Sequence, residues 1–270
     1  MPISTTFKTV VIAGATGNVG YPIAEAFLND GSYKIKIFRK KPENKNERAE
    51  LLASKGAEIV YVDYTQKDDL VKALKGTDVI VSAVKAIRFK KTSGDFYNIQ
   101  LPLLEAAKEV GVKRFIPSEF GGEYTTGLFQ EFVEMLGFDV KNKTATFYVD
   151  GNSKIYSTSL ADIGKYTVES LKLPEARNAT IRVAGSTETF NEILQMFEEA
   201  TGSKWKVVED REVRYRFRNK IEPIPSTADD FRVFVFESSI LSKFDKVDND
   251  KFNFTPHSLT EQINIIAKNA

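Results

Sequence analysis

Thr9-Val10-Val11-Ile12-Ala13-Gly14-Ala15-Thr16-Gly17-Asn18-Val19-Gly20 is the stretch on which the fold of this chain turns. Its first five residues are a short β-branched run, the composition of a strand covered on both faces. Three glycines follow at GxxGxxG spacing. A helical pattern then runs from Val19 to Asn29, with Ile23, Ala24, Phe27 and Leu28 on one side, and Gly31 stands where a C-terminal cap glycine belongs. Between a strand and a helix each glycine has a task. Gly14 permits the tight turn, Gly17 lets the backbone approach a pyrophosphate, and Gly20 lets the helix lie close to the strand. Unpaired N–H groups at a helix start, with the helix dipole behind them, favour an anion. The loop Gly14, Ala15, Thr16, Gly17, Asn18, Val19 and Gly20 is therefore the first candidate binding site.

Downstream, strand and helix alternate. Lys34–Phe38, Glu58–Val62, Asp78–Val84 and Arg114–Pro117 read as strands, and Glu47–Ser54, Asp68–Leu74 and Phe96–Val110 as helices, stopped in turn by Gly56, Gly76 and Gly111. Strict alternation with short turns predicts an α/β fold built on a doubly wound parallel Rossmann sheet. The second half predicts a smaller C-terminal α+β substrate lobe. Helices are expected over Gly127–Gly137, Leu160–Leu171, Asn191–Thr201 and Leu259–Lys268. Ser159 with Asp162 forms a weak capping box for the second of these. Thr144–Val149 and Lys154–Tyr156 read as two strands around the turn Asp150-Gly151-Asn152. Thr180–Val183 reads as a strand that can join the sheet, and Lys204–Val208 as an edge strand. The alternation of Arg211–Lys220 has the period of a half-exposed strand. The expected division is a dinucleotide-binding domain over 1–126 and a lobe over 127–270.

The ends of the strands choose the ligand. A site for NAD(H) places Asp or Glu after the second strand, on the ribose hydroxyls. Here Arg39-Lys40-Lys41 stand there, with no acid before Glu43. A guanidinium at Arg39 suits a 2′-phosphate and can stack on adenine, so the expected cofactor is NADP(H). Lys40 either shares that role or is a solvated basic turn residue. Asp63, after the third strand, either lies near the adenine or caps the following turn. Ala83 and Val84 end the fourth strand on the side where ligands bind; Lys85 beside them reads as a surface residue.

The 270 residues carry 38 basic and 37 acidic side chains, a balance that argues against a general nucleic-acid or membrane-surface partner. Cysteine is absent and histidine occurs once, at 257, so no thiolate metal site, histidine cluster or cysteine nucleophile is expected. His257 has no acid nearby in sequence and reads as a surface or packing residue. Phe231–Phe236 reads as core or lobe wall. No apolar run reaches the length of a signal or a membrane span, and a soluble cytoplasmic protein, with nuclear presence also open, is the expectation.

Gly14–Gly20, Arg39 and the stretch Lys113-Arg114-Phe115-Ile116-Pro117-Ser118-Glu119-Phe120-Gly121 together resemble the NmrA-like group. This is the atypical short-chain dehydrogenase branch that includes isoflavone reductase-like and phenylcoumaran benzylic ether reductase-like proteins. Thr125–Phe129, Tyr148–Asn152 and Asp162-Ile163-Gly164 extend the resemblance over nearly the whole chain. It implies an NADPH-binding Rossmann domain with a smaller lobe forming a cleft over the nicotinamide. Ser118, Glu119 and Phe120 match the family motif and are candidate cofactor-binding residues; the first two are expected to line that cleft, the alternative being that they only end the strand. Some members reduce small phenolic or other aromatic molecules; others bind the dinucleotide and regulate a partner protein.

The chain departs from the pattern at one place. In the reductase members a lysine on the helix after PSEFG is the general acid/base. Here only Gly122, Glu123 and Tyr124 separate Gly121 from Thr125. A parallel crossover needs roughly 10 to 12 residues, so none fits, and the sheet either ends after five strands or is rebuilt beyond this point. No residue carries over to that lysine. Lys141 and Lys143 lie too late, and Tyr124 has no lysine beside it. The reading is thus an NADPH-dependent, isoflavone reductase-like oxidoreductase of a small aromatic or carbonyl compound. The alternative is a non-catalytic NADP(H)-binding redox sensor that signals to a protein partner.

Overall fold

A computed structural model describes residues 7–41, 44–84, 95–120, 133, 136–148, 150–152, 154–221, 233 and 246–269. They fall into two compact units, Met1–Gly121 with Ile163–Pro174, and Gly122–Asp162 with Glu175–Ala270.

The first unit opens with β1 (Thr9–Ala13), α1 (Gly20–Asp30), β2 (Lys34–Lys40), α2 (Glu47–Ser54), β3 (Glu58–Val62), α3 (Lys67–Leu74), β4 (Val79–Ser82), α4 (Asp95–Glu109) and β5 (Arg114–Ile116). The strands form one parallel sheet in the order β3-β2-β1-β4-β5, as the alternation predicts. Period-2 alternation sends side chains of one strand into two different cores. Val10 and Ile12 of β1 meet Ile23, Ala24 and Phe27 of α1 and Ala49 and Leu52 of α2. Val11 and Ala13 meet Leu70 and Leu74 of α3 and Leu103, Ala106 and Ala107 of α4. Val10–Ala13 are wholly buried, which explains the unbroken β-branched run. Among the described residues the sheet ends at β5.

The next helix, α5 (Leu160–Ser170), contributes Ile163 and Val168 to the same core as α1, with Leu171 just beyond it. A methyl on Gly164 would lie 2.5 Å from the Pro22 carbonyl oxygen, so glycine lets α5 touch α1 backbone to backbone.

The second unit holds β6 (Phe138–Asp139), β7 (Thr144–Phe147), β8 (Lys154–Ser157), β9 (Ser186–Thr189), α6 (Phe190–Thr201), β10 (Lys206–Glu209), α7 (Val213–Asn219) and α8 (Leu259–Asn269). A cluster of the aromatic rings of Phe138, Phe147, Phe190, Phe197 and Trp205 centres its core. Here the structure corrects three expectations. The strands on either side of Asp150-Gly151-Asn152 do not form a hairpin. β7 pairs with β6 and β10, while β8 pairs with β9. The turn is held by Asn191 at the start of α6, whose N–H donates to the Gly151 carbonyl (3.1 Å) and whose amide donates to Asn152 Oδ1 (2.9 Å).

Thr180–Val183 is not a strand. The Arg182 N–H and Ala184 N–H donate to the side chains of Asp248 (2.8 Å) and Asn249 (3.1 Å), which take the place of a neighbouring strand. Arg211–Lys220 is not a strand either, but contains α7. Asp210 accepts the Glu212 N–H at 3.2 Å and a two-pronged ion pair from Arg216 (3.0 and 2.6 Å), and both contacts favour a turn of helix. The helix expected over Gly127–Gly137 and the run Phe231–Phe236 lie almost entirely outside the described residues.

His257 also has a partner that its sequence neighbours do not reveal. Asp162, fully buried at the start of α5, accepts the His257 backbone N–H at 2.7 Å and its ring Nδ1 at 2.9 Å. Its own N–H donates to Ser159 Oγ (2.9 Å), the forward half of the capping box. Burial alone would raise the Asp162 pKa, but the hydrogen bonds from Ser159 and His257 outweigh it and hold the carboxyl below its ordinary value of 3.8. The resulting stability is present above that value and is lost as pH falls through the lower, folded-state value. His257→Ala is expected to cost about 1 kcal/mol at neutral pH and to flatten this acid limb. Urea unfolding midpoints against pH check both; an unchanged acid limb would remove the pair from the account.

Candidate dinucleotide site

Crevices in doubly wound sheets open where strand order reverses, at the carboxyl ends of the strands. In this sheet that point lies between β1 and β4. The glycine loop leaves β1 there, directly against the end of β4. Gly14 takes φ +83°, and a methyl on it would lie 2.5 Å from the Ala83 carbonyl oxygen. The Ala83 N–H donates to the Ala13 carbonyl at 2.8 Å. The loop closes on itself through Gly17 N–H to the Gly14 carbonyl (2.9 Å), and Tyr21 N–H donates to the Gly17 carbonyl (2.9 Å).

The start of α1 is electrostatically bare. Val19 at the N-cap makes no side-chain cap bond, and the first turn holds no acid. Two other helices are capped: Asn46 accepts the Ala49 N–H ahead of α2, and Thr189 with Glu192 forms a full capping box on α6. The first turn of α1 thus keeps the partial positive charge that those helices neutralise.

Two guanidiniums converge on Thr16. Arg39, at the end of β2, donates through Nη1 to Thr16 Oγ1 (3.1 Å) and through Nη2 to Asn44 Oδ1 (2.9 Å). Its Nε is buried and has no hydrogen-bond partner among the described residues. Burial raises the Tyr64 hydroxyl pKa, and the nearby Arg39 charge partly opposes that shift. Arg48, on α2, donates through Nη1 to the Thr16 carbonyl (3.3 Å) and to Asn18 Oδ1 (3.2 Å), and lies over the Tyr21 ring at 5.5 Å. Sequence reasoning missed Arg48. Its signal was a basic residue in the first turn of the helix after β2, a place where charge patterning alone reads as solvated surface.

The remaining candidates divide. Lys40 is exposed at the last position of β2, opposite Val62. The Asp63 carboxylate is engaged locally, accepting the Thr65 hydroxyl (2.7 Å) and N–H (2.9 Å), bonds that hold its pKa down. That is the turn-capping arrangement. Ser118 Oγ donates to the Val84 carbonyl at 3.0 Å, and its N–H donates to Gln100 Oε1 at 2.9 Å, so Ser118 ties β5 to β4 and to α4. Glu119 is exposed, and Phe120 is half-buried against the β1–α1 core. Lys85, Tyr124 and the stretch after Phe120 lie outside the described residues. In the second unit Lys143 donates to Ser203 Oγ at 2.6 Å, and Lys141 is exposed. Among the described residues no group of three or more His, Asp or Glu side chains can hold a metal ion, and no helix is long and apolar enough to cross a membrane.

Comparison with known proteins gives concordant results. Pinoresinol reductase 1 of Arabidopsis thaliana is 29% identical over 243 residues, covering 72% of this chain and 75% of that protein. Phenylcoumaran benzylic ether reductase IRL1 of Ginkgo biloba is 28% identical over 237 residues, with the same coverage. Among solved structures, an isoflavone reductase superposes with a TM-score of 0.79 at 19% identity over 98% of this chain and 100% of that one. AtPrR2 with NADP+ and (+)pinoresinol superposes with a TM-score of 0.76 at 24% identity, over 96% and 99%. At these identities the superpositions establish the fold. The profile of the NmrA-like family matches residues 6–143, more than half of the sequence, and the chain belongs to that family.

Proposed function

We propose that this chain binds NADP(H) and acts as an isoflavone reductase-like oxidoreductase on a small aromatic or carbonyl compound. The observation that carries the reading is the Arg39 guanidinium, fixed beside the glycine loop by Thr16 and Asn44, with a buried Nε still unpartnered among the described residues. A neutral ribose hydroxyl needs no such group, whereas a 2′-phosphate does. Exchanging neutral oxygen acceptors for a phosphate converts these bonds to charge-assisted ones. The bare first turn of α1 suits the pyrophosphate, and the family's reductases of phenolic compounds point to the substrate class.

In this reading the loop Gly14–Gly20 holds the pyrophosphate, Arg39 the 2′-phosphate with Lys40 at its rim, and Ala83 and Val84 the floor beneath the nicotinamide. Ser118 shapes that floor by bracing Val84, rather than by offering its hydroxyl to substrate. Residues 1–126 are assigned to the cofactor domain and 127–270 to the substrate lobe, apart from Ile163–Pro174, which pack with the first unit. When bound, the dinucleotide supplies the hydride; the protein's part is to hold it and to exclude water from the pocket.

Titration followed by nicotinamide fluorescence is expected to give NADPH an affinity about a hundredfold above that for NADH, from the two-pronged charge-assisted contact at Arg39. Equal affinities would overturn the cofactor assignment. NADPH oxidation measured against a panel of phenolic and quinone substrates tests the second part. Tight binding without turnover on any of them would replace the enzyme by a dinucleotide-responsive regulator.

A further inference from the structure

Of the eight large apolar side chains exposed among the described residues, five fall between positions 207 and 221: Val207, Val208, Tyr215, Phe217 and Ile221. They lie on β10, on α7 and just after it. β10 is an end strand in the order β10-β7-β6, and its outer edge has no strand partner among the described residues. Lys206 N–H donates to Lys143 and Asp210 N–H to Phe147, both on the β7 side. By the alternation of a parallel ladder, the N–H and C=O groups of Val207 and Glu209 point outward. Both valines are exposed, Val207 by 47%. An edge this open and apolar is a template for another strand.

The helix beside it adds charge. Val213 is buried in the core, and Arg216 is locked to Asp210, which anchors the inner side of α7. The outer side carries Arg214, Tyr215 and Arg218 at i, i+1 and i+4, with Tyr215 60% exposed. Arg211 is neutralised by Glu209. Lys206, Arg214, Arg218 and Lys220 have no ion pair among the described residues. Among the described residues, four cations without an ion pair thus lie on β10, on the helix that follows it and at that helix's end, and the valine-bearing outer edge of β10 has no strand partner.

We propose that the outer edge of β10 and the outer face of α7 form a docking surface for an extended acidic segment of a partner protein, added as a further strand. Backbone pairing to Val207 and Glu209 would provide attachment, and Arg214 and Arg218 would select for carboxylates. A seven-residue helix is too short for a membrane-surface anchor, and the chain's balanced charge gives no general attraction to nucleic acid. The proposal is independent of the cofactor reading.

The probe is a short fluorescein-labelled peptide alternating Glu and Val, followed by anisotropy. Saturable binding that weakens with salt is expected, together with no binding of the matching Lys-Val peptide. The double variant Arg214→Glu, Arg218→Glu should weaken binding by about tenfold or more. Val207→Pro removes an N–H that faces outward, a change that edge strands tolerate, and it should abolish binding while leaving the circular dichroism spectrum intact. Should Val207→Pro unfold the chain, a Glu-Pro peptide makes the same test from the other side and should not bind. Binding of the Glu-Pro peptide equal to that of Glu-Val, undiminished binding to the double variant, or no binding of Glu-Val at all would each overturn the proposal. So would a concentration-dependent dimer in sedimentation that Val207→Pro dissolves, since the edge would then belong to a second copy.

Discussion

Replacing Arg39 by Ala is expected to raise the Kd for NADPH about a hundredfold while leaving that for NADH within about twofold. The asymmetry follows from where the guanidinium stands. It closes the end of β2, and among the described residues its hydrogen-bond partners are the neutral oxygens Thr16 Oγ1 and Asn44 Oδ1, so its removal breaks no ion pair there. A charge-assisted hydrogen bond contributes about 1.5–3 kcal/mol, and the higher part of that range applies where a phosphate meets two prongs of one guanidinium. Lysine at this position keeps the charge but not the fork, and Arg39→Lys is expected to recover part of the loss. The competing view is that Arg39 merely props up the glycine loop through Thr16. That view predicts equal losses for NADPH and NADH, together with a lower melting temperature. Parallel titrations of the two dinucleotides with both variants separate the possibilities.

The first unit was largely legible because its physics is local. The run Val10–Ala13, the glycines after it and the stop at Gly31 each report a requirement met within a few residues, and β1, α1 and β2 lie where those signals put them. Arg39 was legible for the same reason, since parallel registry places the end of β2 beside the end of β1. Arg48 was not. Its contact with Thr16 and Asn18 depends on the path of the connection after β2, and no periodicity encodes that path.

The second unit was legible as elements but not as pairings. β7 and β8 were both recognised as strands, yet their partners come from β10 and β9, far along the chain. A three-residue turn with glycine looks the same whether it closes a hairpin or, as here, is pinned by Asn191. Asp162 and His257 are 95 residues apart, and only the folded chain brings that carboxylate to that ring. In α7 the alternation of Arg with Val, Tyr and Phe has a true period of two. The ion pair between Arg216 and Asp210 and the burial of Val213 override it, as tertiary contacts routinely override weak local preference.

Gly20→Ala is expected to be the most damaging single methyl in the first unit, costing about 3 kcal/mol or more of a total that for domains of this kind is about 5–15 kcal/mol. The added carbon would overlap the Gly14 carbonyl oxygen and stand 2.8 Å from the Gly14 carbonyl carbon and 3.0 Å from Ala15 Cα. All three are backbone atoms, so no side chain can swing aside. Gly14 cannot retreat either, because the Ala83 carbonyl already closes its other side. The strain must therefore push α1 away from β1, loosening the packing of Ile23, Ala24 and Phe27, which are fully buried. A fall in melting temperature of roughly 6–12 °C corresponds to that cost. NADPH affinity should fall with it, since the N–H groups of the loop move with the helix. Gly31→Ala provides the contrast. That position is left-handed, with φ +74°, but nothing lies within 4 Å of the added methyl, so only the backbone cost of about 1–2 kcal/mol applies. Equal destabilisation by the two variants, measured by calorimetry, would show that the close approach at Gly20 costs no more than a left-handed backbone does at Gly31.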